Sequence, residues 1–469
     1  MKQFPTTLFS LCLESLASNL NILGTYSSEG YTLHKGLFLH RFICEEFLKA
    51  YQDSGKDIND SVAHLFKDVT KTSLKSVNIH DSSITGAGLK YFLRHNLYEL
   101  NLKNCTNFDS KMFARIFKYS KNLQSLVIGP RVHITGPLPS YNLIFRKLSK
   151  VVSLGGNRPP SLKLLALKGM KKKDTSNVTW FFRCNDLSQL NTLDFSYSKI
   201  VICLQYTKQL PNLHTLILFE VPTRSMEQNK TVLHVCELKS LVVLDLSRCS
   251  STQEQRFKNM FRDEYTLALI VKSLPNLMSL DISGTNLAGR GPANSQDLGE
   301  SSNGFSNGKQ CDIPGLESRV ENPLEYLGLY HTMYDACNRE HIPAKTISGN
   351  ANEEQLITAF NSFMHDKPEL LAEVLNDITN FIEQNRFTQL EKAVHMVIDA
   401  ITTNIDSDEV QKSGISALFR LMYKFELTSL DIPARRQLYH VLETGIGLNI
   451  YDDDVNYKLE EIVAALNLE

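Results

Sequence analysis

Apolar residues recur along this chain with two different periods. Between Leu74 and Leu329 one phrase returns nine times: an apolar residue, two others, an apolar residue, one other, an apolar residue. The copies begin at Leu74, Leu97, Leu123, Leu162, Leu190, Leu213, Leu241, Leu277 and Leu324. The last two apolar positions lie two residues apart, so in a strand they share one face. The first is brought inward by the bend that leads into the strand. One such triplet cannot bury itself, and stacked neighbours can. After about residue 350 the strand phrase stops and helical spacing takes over. One stripe is Leu370, Leu371, Val374, Leu375, Ile378, Phe381 and Ile382, behind a Pro368 suited to a first helical turn. Leu390 to Ile401, Val410 to Met422, Leu438 to Leu442 and Leu459 to Leu466 give four more.

The nine-fold phrase is that of a leucine-rich repeat, each copy a short strand lining a horseshoe. Such repeats place a small polar residue three positions after the last apolar one, where it can satisfy loop amides. That slot holds Ser82, Cys105, Ser198, Cys249, Thr285 and Thr332, with Arg131, Met170 and Val221 as exceptions. Six small polar residues out of nine argue for a true ladder. The intervals between copies are 23, 26, 39, 28, 23, 28, 36 and 47 residues, so some must contain insertions. One is 130–160, broken by Pro and Gly. The other is 288–319, a Gly-, Ser- and Asn-rich stretch read as a mobile loop. The helical stripes, spaced near forty residues per pair, suggest armadillo-like repeats. Ile462, Val463, Leu466 and Leu468 read as an open face at the last of them, as in an incomplete array or one covered by a partner. The expected class is therefore an α/β leucine-rich-repeat solenoid followed by an all-α armadillo-like solenoid. The expected divisions are 1–60, 70–345 and 350–469.

Composition adds mainly exclusions. Lys and Arg number 50 against 51 Asp and Glu, a balance without a nucleic-acid footprint. The Lys171–Lys172–Lys173 cluster reads as a solvated turn. No apolar run reaches the ~20 residues needed to span a bilayer, and no secretory signal opens the chain. Nine dispersed cysteines without a C-x-x-C pair suit a reducing compartment, so an intracellular protein, cytoplasmic or nuclear, is expected. Cys337 with His341 is the most metal-like pair and too sparse for a zinc site, so no metal or cofactor is expected. Phosphate-loop, metalloprotease and nucleophile-elbow motifs are all missing from the sequence, and with them any catalytic residue.

The N-terminus carries a further pattern. Leu8, Cys12 and Leu16 stand at i, i+4 and i+8, one stripe of a helix that Thr6 or Thr7 can cap. A second stripe runs Leu39, Ile43, Phe47 and Tyr51. Both helices would serve simply to close the open end of the repeats. The alternative is that a small Cys between two leucines encodes a specific partner, since a pocket sized for Cys admits Leu only with strain of ~1–3 kcal/mol.

Thr7, Leu8, Cys12 and Leu16 resemble the von Hippel–Lindau box, the elongin-C-binding helix of cullin-2 substrate receptors. Leu39 to Ile43 is similar to the start of the accompanying cullin box, with His40 where Pro is common. The order of box, leucine-rich repeats and armadillo-like repeats resembles the Zyg-eleven/Zer family. Asn276–Gly284, Leu324–Tyr330 and the stretch His341 to Gln355 carry the likeness, closer to the Zer branch. The resemblance implies a substrate-recognition adaptor of a cullin-2 RING ubiquitin ligase, with no enzymatic step of its own. Implied partners are elongin B/C, cullin 2 with its RING subunit, and protein substrates. It implies elongin binding by Leu8, Cys12 and Leu16 and cullin binding by Leu39 and Ile43. Family members hold glycine-ended proteins in a groove of later armadillo repeats that uses Trp, acidic and Asn side chains. The single tryptophan here is Trp180, in the leucine-rich region, so no degron-binding residue carries over. The alternatives are an interaction scaffold unrelated to ubiquitin and a truncated competitor of a longer receptor.

Overall fold

The computed structural model describes residues 8–105, 107, 112, 115–116, 119–129, 162–169, 187–198, 210–221, 232–249, 263–291, 311–405, 407–447 and 453–466. Trp180, Lys171–Lys173 and the 130–160 insertion lie outside them. The chain divides into two compact units, Met1–Met278 and Ser279–Glu469. The division falls inside the repeat array.

The first unit opens with helix α1 (Leu8–Ser18), the hairpin β1 (Gly24–Ser27) and β2 (Gly30–Leu33), helix α2 (Arg41–Asp53) and the short α3 (Asp60–Ala63). Seven parallel strands follow in chain order: β3 (Ser76–His80), β4 (Glu99–Lys103), β5 (Ser125–Gly129), β6 (Leu164–Leu167), β7 (Thr192–Asp194), β8 (Thr215–Ile217) and β9 (Val243–Asp245). Their register aligns one apolar row, Val77, Leu100, Leu126, Leu165, Leu193, Leu216 and Leu244. Every member of the row is buried, which is the stacking that no single repeat achieves alone. Helices α4 (Gly86–Leu93) and α5 (Asp263–Ser273) lie in return segments, and Thr85 caps α4 by accepting from the Ala87 N–H.

Beside its expected role, which Thr285 keeps by accepting from the Leu287 N–H, the small polar slot has a second. Cys105, Ser198 and Cys249 donate to the carbonyls of Ile79, Leu167 and Leu218, each the last apolar residue of the preceding repeat. A hydroxyl or thiol has a proton to give, so it satisfies the neighbour's buried carbonyl and ties successive coils together. Ser82, which donates to the Ile58 carbonyl, also accepts from the Ile84 N–H, the amide role that the sequence suggests. A second device is legible only in the structure. In the eight repeats whose position is described, the residue two after the last apolar one has φ between 48° and 70° (Asp81, Asn104, Gly169, Tyr197, Glu220, Arg248, Gly284 and His331). Left-handed backbone is disfavoured for side chains such as Tyr or Arg, so the turn is imposed by stacking.

The second unit carries β10 (Ser279–Asp281), β11 (Leu324–Gly328) and β12 (Ala344–Ser348), again parallel. All nine phrases therefore supply a strand, and β12 is a tenth without the phrase: its Ala344 to Ser348 alternation is short, and Ile347 is only half-buried. The 288–319 stretch is more ordered at its ends than its composition suggests. Ala288, Ile313 and Leu316 are buried, and the Arg339 guanidinium donates to the carbonyls of Ala288, Gly289 and Asp312. Residues 292–310 lie outside the described ones.

Helices α6 (Glu353–Phe363), α7 (Pro368–Glu383), α8 (Leu390–Thr403), α9 (Asp408–Leu421), α10 (Ile432–Gly447) and α11 (Asp453–Ala465) complete this unit. Five match the predicted stripes. The sixth, α6, begins at an Asn352 cap that accepts from the Gln355 N–H. Helix α7 packs on α9 and α9 on α11, while α8 packs on α10, giving two layers. Ile462 and Leu466, read from sequence as part of an open face, are buried.

Candidate functional site

Helix α2 covers the edge strand of the first unit. Glu45 accepts from the N–H groups of Lys75 and Ser76 at 2.8 and 3.0 Å, and the Gln52 side-chain amide donates to the His80 carbonyl at 2.8 Å. His40 caps the helix, its Nδ1 accepting from the Phe42 N–H at 3.5 Å. Phe47 and Tyr51 are buried and Ile43 is half-buried. The second stripe thus serves mainly to seat α2.

Leu39 departs furthest from its expected role. It lies before α2, 8% exposed, bridged to Thr72, with its N–H donated to the Lys71 carbonyl at 2.8 Å. Its carbonyl accepts from the Cys44 thiol, whose burial pushes it up to about 11. Leu39 is a core residue, because the extended segment ahead of α2 pairs with the 71–72 backbone and turns this side chain inward.

Helix α1 packs on α2 with the opposite economy. Leu13 and Ala17 are buried, and Leu16 is half-buried. Lys56 donates to the Ala17 and Ser18 carbonyls, occupying acceptors at the helix C-terminus. The Phe9 ring stacks on Phe42 with centroids 5.5 Å apart and planes inclined by 19°. These contacts leave the other face bare: Leu8 is 79% exposed, Leu11 50%, and Cys12 is exposed as well. Cys12, the small residue for which a partner's pocket would be sized, is thus at the surface. Leu8, Leu11 and Cys12 at i, i+3 and i+4 form the outward stripe, while Leu16 sits toward its margin. Leu11 escaped the i, i+4, i+8 reading, although i+3 spacing would have found it.

Elsewhere the structure separates residues that sequence brings near. Cys337 donates to Asn350 Oδ1, while His341 pairs with Asp312 at 3.0 Å, so the two do not share a ligand position. Among the described residues, no helix is long and apolar enough to cross a membrane.

The family described as "Zer-1-like, Leucine-rich repeats" matches residues 183–332. A Drosophila melanogaster protein named "Protein zer-1 homolog" is 32% identical over 460 residues, covering 96% of this chain and 55% of that protein. Its Homo sapiens namesake is 26% identical, covering 94% of this chain and 58% of its own length. "Zyg eleven-related protein 1" of Caenorhabditis elegans is 31% identical over 269 residues, 56% of this chain and 28% of that protein. The chain thus spans little more than half the length of the Zer-1 homologues it matches. With repeats of the Zer-1-like kind inside an alignment that runs through nearly all of its residues, the chain belongs to the Zyg-eleven/Zer family, closer to the Zer branch.

Proposed function

We propose that the chain is a substrate-recognition adaptor of a cullin-2 RING ubiquitin ligase, with α1 docking elongin C of an elongin B/C pair. The observation that carries this reading is the bare stripe of Leu8, Leu11 and Cys12 on a helix whose other face is fastened to α2. An amphipathic helix laid into a partner's groove reads through anchors at i, i+3 and i+4. Burying each Leu would contribute about 1.5–3 kcal/mol, enough for the centre of an interface. A helix that merely closed the repeats would turn its leucines inward, and here α2 performs that closure.

The two-layered helices of the second unit are read as armadillo-like repeats that, with the leucine-rich repeats, present protein substrates. Glycine-end recognition lies in later repeats of family members, and no residue of this chain is assigned to it. The test is co-expression with elongin B and elongin C followed by size exclusion. Wild type should co-elute with the pair, and Leu8→Ala/Cys12→Ser should not, with an unchanged thermal midpoint. Binding retained by the double variant, or no co-elution from folded wild type, would overturn the reading.

A further inference from the structure

The turn that follows β11 is strained at two adjacent residues. Tyr334 has φ 63° and Asp335 φ 46°, left-handed backbone that side chains disfavour. Such strain persists only where neighbouring contacts hold it. Here the turn is held on both sides. The Met333 N–H donates to the Thr285 carbonyl at 3.0 Å, Ala336 and Cys337 are buried, and the Gln355 side chain donates to the Cys337 carbonyl at 3.0 Å. Between these anchors Tyr334 is 46% exposed and Asp335 is exposed as well. A tyrosine kept for packing would bury its ring.

Arg290 stands over that ring. Its guanidinium carbon lies 5.4 Å from the centroid, and its Nε donates to the phenol oxygen at 3.4 Å. The backbone on either side of Arg290 is itself fixed. The carbonyls of Ala288 and Gly289 accept from the Arg339 guanidinium. Gly291, with φ 72°, lies so close that a Cβ there would meet the same guanidinium at 2.9 Å. A cation is therefore set in place beside an exposed phenol hydroxyl, in a turn outside the strands and long helices.

We propose that Tyr334 is a phosphorylation site and that Arg290 receives the phosphate, clamping the 288–291 backbone to the turn after β11. A tyrosine kinase with ATP supplies the group. The bond from the γ-phosphorus to the bridging oxygen of ADP breaks, one forms to the Tyr334 oxygen, and the phenol proton passes to the kinase's base. The phosphate brings about −1.5 to −2 charges and three acceptor oxygens. Those oxygens lie two bonds beyond the phenol oxygen, where paired guanidinium N–H groups can take them. Asp335, next in the chain, repels the added charge and so favours the guanidinium side.

The experiment treats the folded full chain with ATP and, separately, two unrelated tyrosine kinase domains of broad specificity. Peptide mass spectrometry reads which tyrosines are filled, with the more exposed Tyr26, Tyr423 and Tyr457 as internal references. Tyr334 should be filled, in wild type and in Arg290→Gln alike. Amide exchange at 288–291 should then slow in the phosphorylated wild type and not in Arg290→Gln. By phosphorus NMR the second ionisation of the phosphate should lie about 0.5 unit or more lower in wild type than in Arg290→Gln. Tyr334 left unmodified by both enzymes, whatever happens at the reference tyrosines, would overturn the acceptor assignment. A phosphate that titrates alike in both proteins, with 288–291 exchange unchanged, would overturn the pairing with Arg290.

Discussion

Lys367 donates from Nζ to Asp281 Oδ2 at 2.6 Å, and both side chains are buried. The pair joins the end of β10 to the residue that precedes α7, 86 positions later in the chain. Asp281 also accepts from the Ser283 N–H at 3.0 Å, so its carboxylate serves the repeat turn and the first turn of α7 together. The Phe363 ring lies 5.1 Å beneath the ammonium. Removing one member strands a charge in a low-dielectric site, which costs about 3–5 kcal/mol. Lys367→Met should destabilise the second unit by that amount in urea melts. Adding Asp281→Asn should recover part of the loss, because the amide oxygen can still accept from Ser283. Equal stability of Lys367→Met and wild type would show that the pair contributes nothing net.

Leu39 separates stability from assembly. Leu39→Ala opens a cavity under α2 and should cost about 2–5 kcal/mol. At a temperature where the variant remains folded, its capture of cullin 2 through the proposed elongin B/C complex should match wild type. A selective loss of that capture with intact stability would return Leu39 to the interface.

His331 supplies a pH dependence. Burial works against its charged form, but hydrogen bonds and charge from Asp377 and Glu373 outweigh that and raise the imidazole to about 9. Tyr330 stacks on the ring and donates to Asp377 at 2.9 Å. The folded-state value lies above the ordinary ~6.5 of an unfolded histidine. The stabilisation is therefore complete below about pH 6.5 and is lost as pH rises through about 9. His331→Gln should be less stable than wild type at pH 6, with the gap closing by pH 10. A gap independent of pH would assign His331 a purely steric role.

The left-handed turn is testable at Gly284, where φ is 68° and the N–H donates to the Tyr330 carbonyl at 2.8 Å. Gly284→Val should cost about 1–2 kcal/mol, because a β-branched side chain is penalised there. An unchanged urea midpoint would mean that the turn relaxes freely.

The repeat strands were legible because a buried parallel strand must spend its apolar residues at fixed positions. Leu74 through Leu329 advertise those positions whatever lies between them. β12 escaped because an edge strand buries little, and its residues follow no phrase. The helical stripes from Leu370 onward were legible for the same reason as the strands, and α6 was missed although its Asn352–Gln355 cap stands in the sequence. At the N-terminus periodicity located both helices but could not orient them. An i, i+4 stripe reads alike whether it faces a core or a partner. Leu8 and Cys12 turned outward, while Leu39, in an equally apolar setting, turned inward because a backbone bridge to Thr72 fixed it there.

The left-handed turn and the carbonyl-directed Ser and Cys side chains have a consequence for how such a chain can change over generations. Both set each coil against the last within a few residues of its strand, so stacking does not depend on how far the chain travels before returning. From β3 to β9 the starts of successive phrases lie between 23 and 39 residues apart, yet these strands keep one unbroken apolar row. Loop closure adds only about 0.6 kcal/mol for each doubling of length. Length is thus nearly free on the return side and fixed on the strand side. Relatives should differ by insertions and deletions between the strands, while the strand phrases themselves change only by substitution.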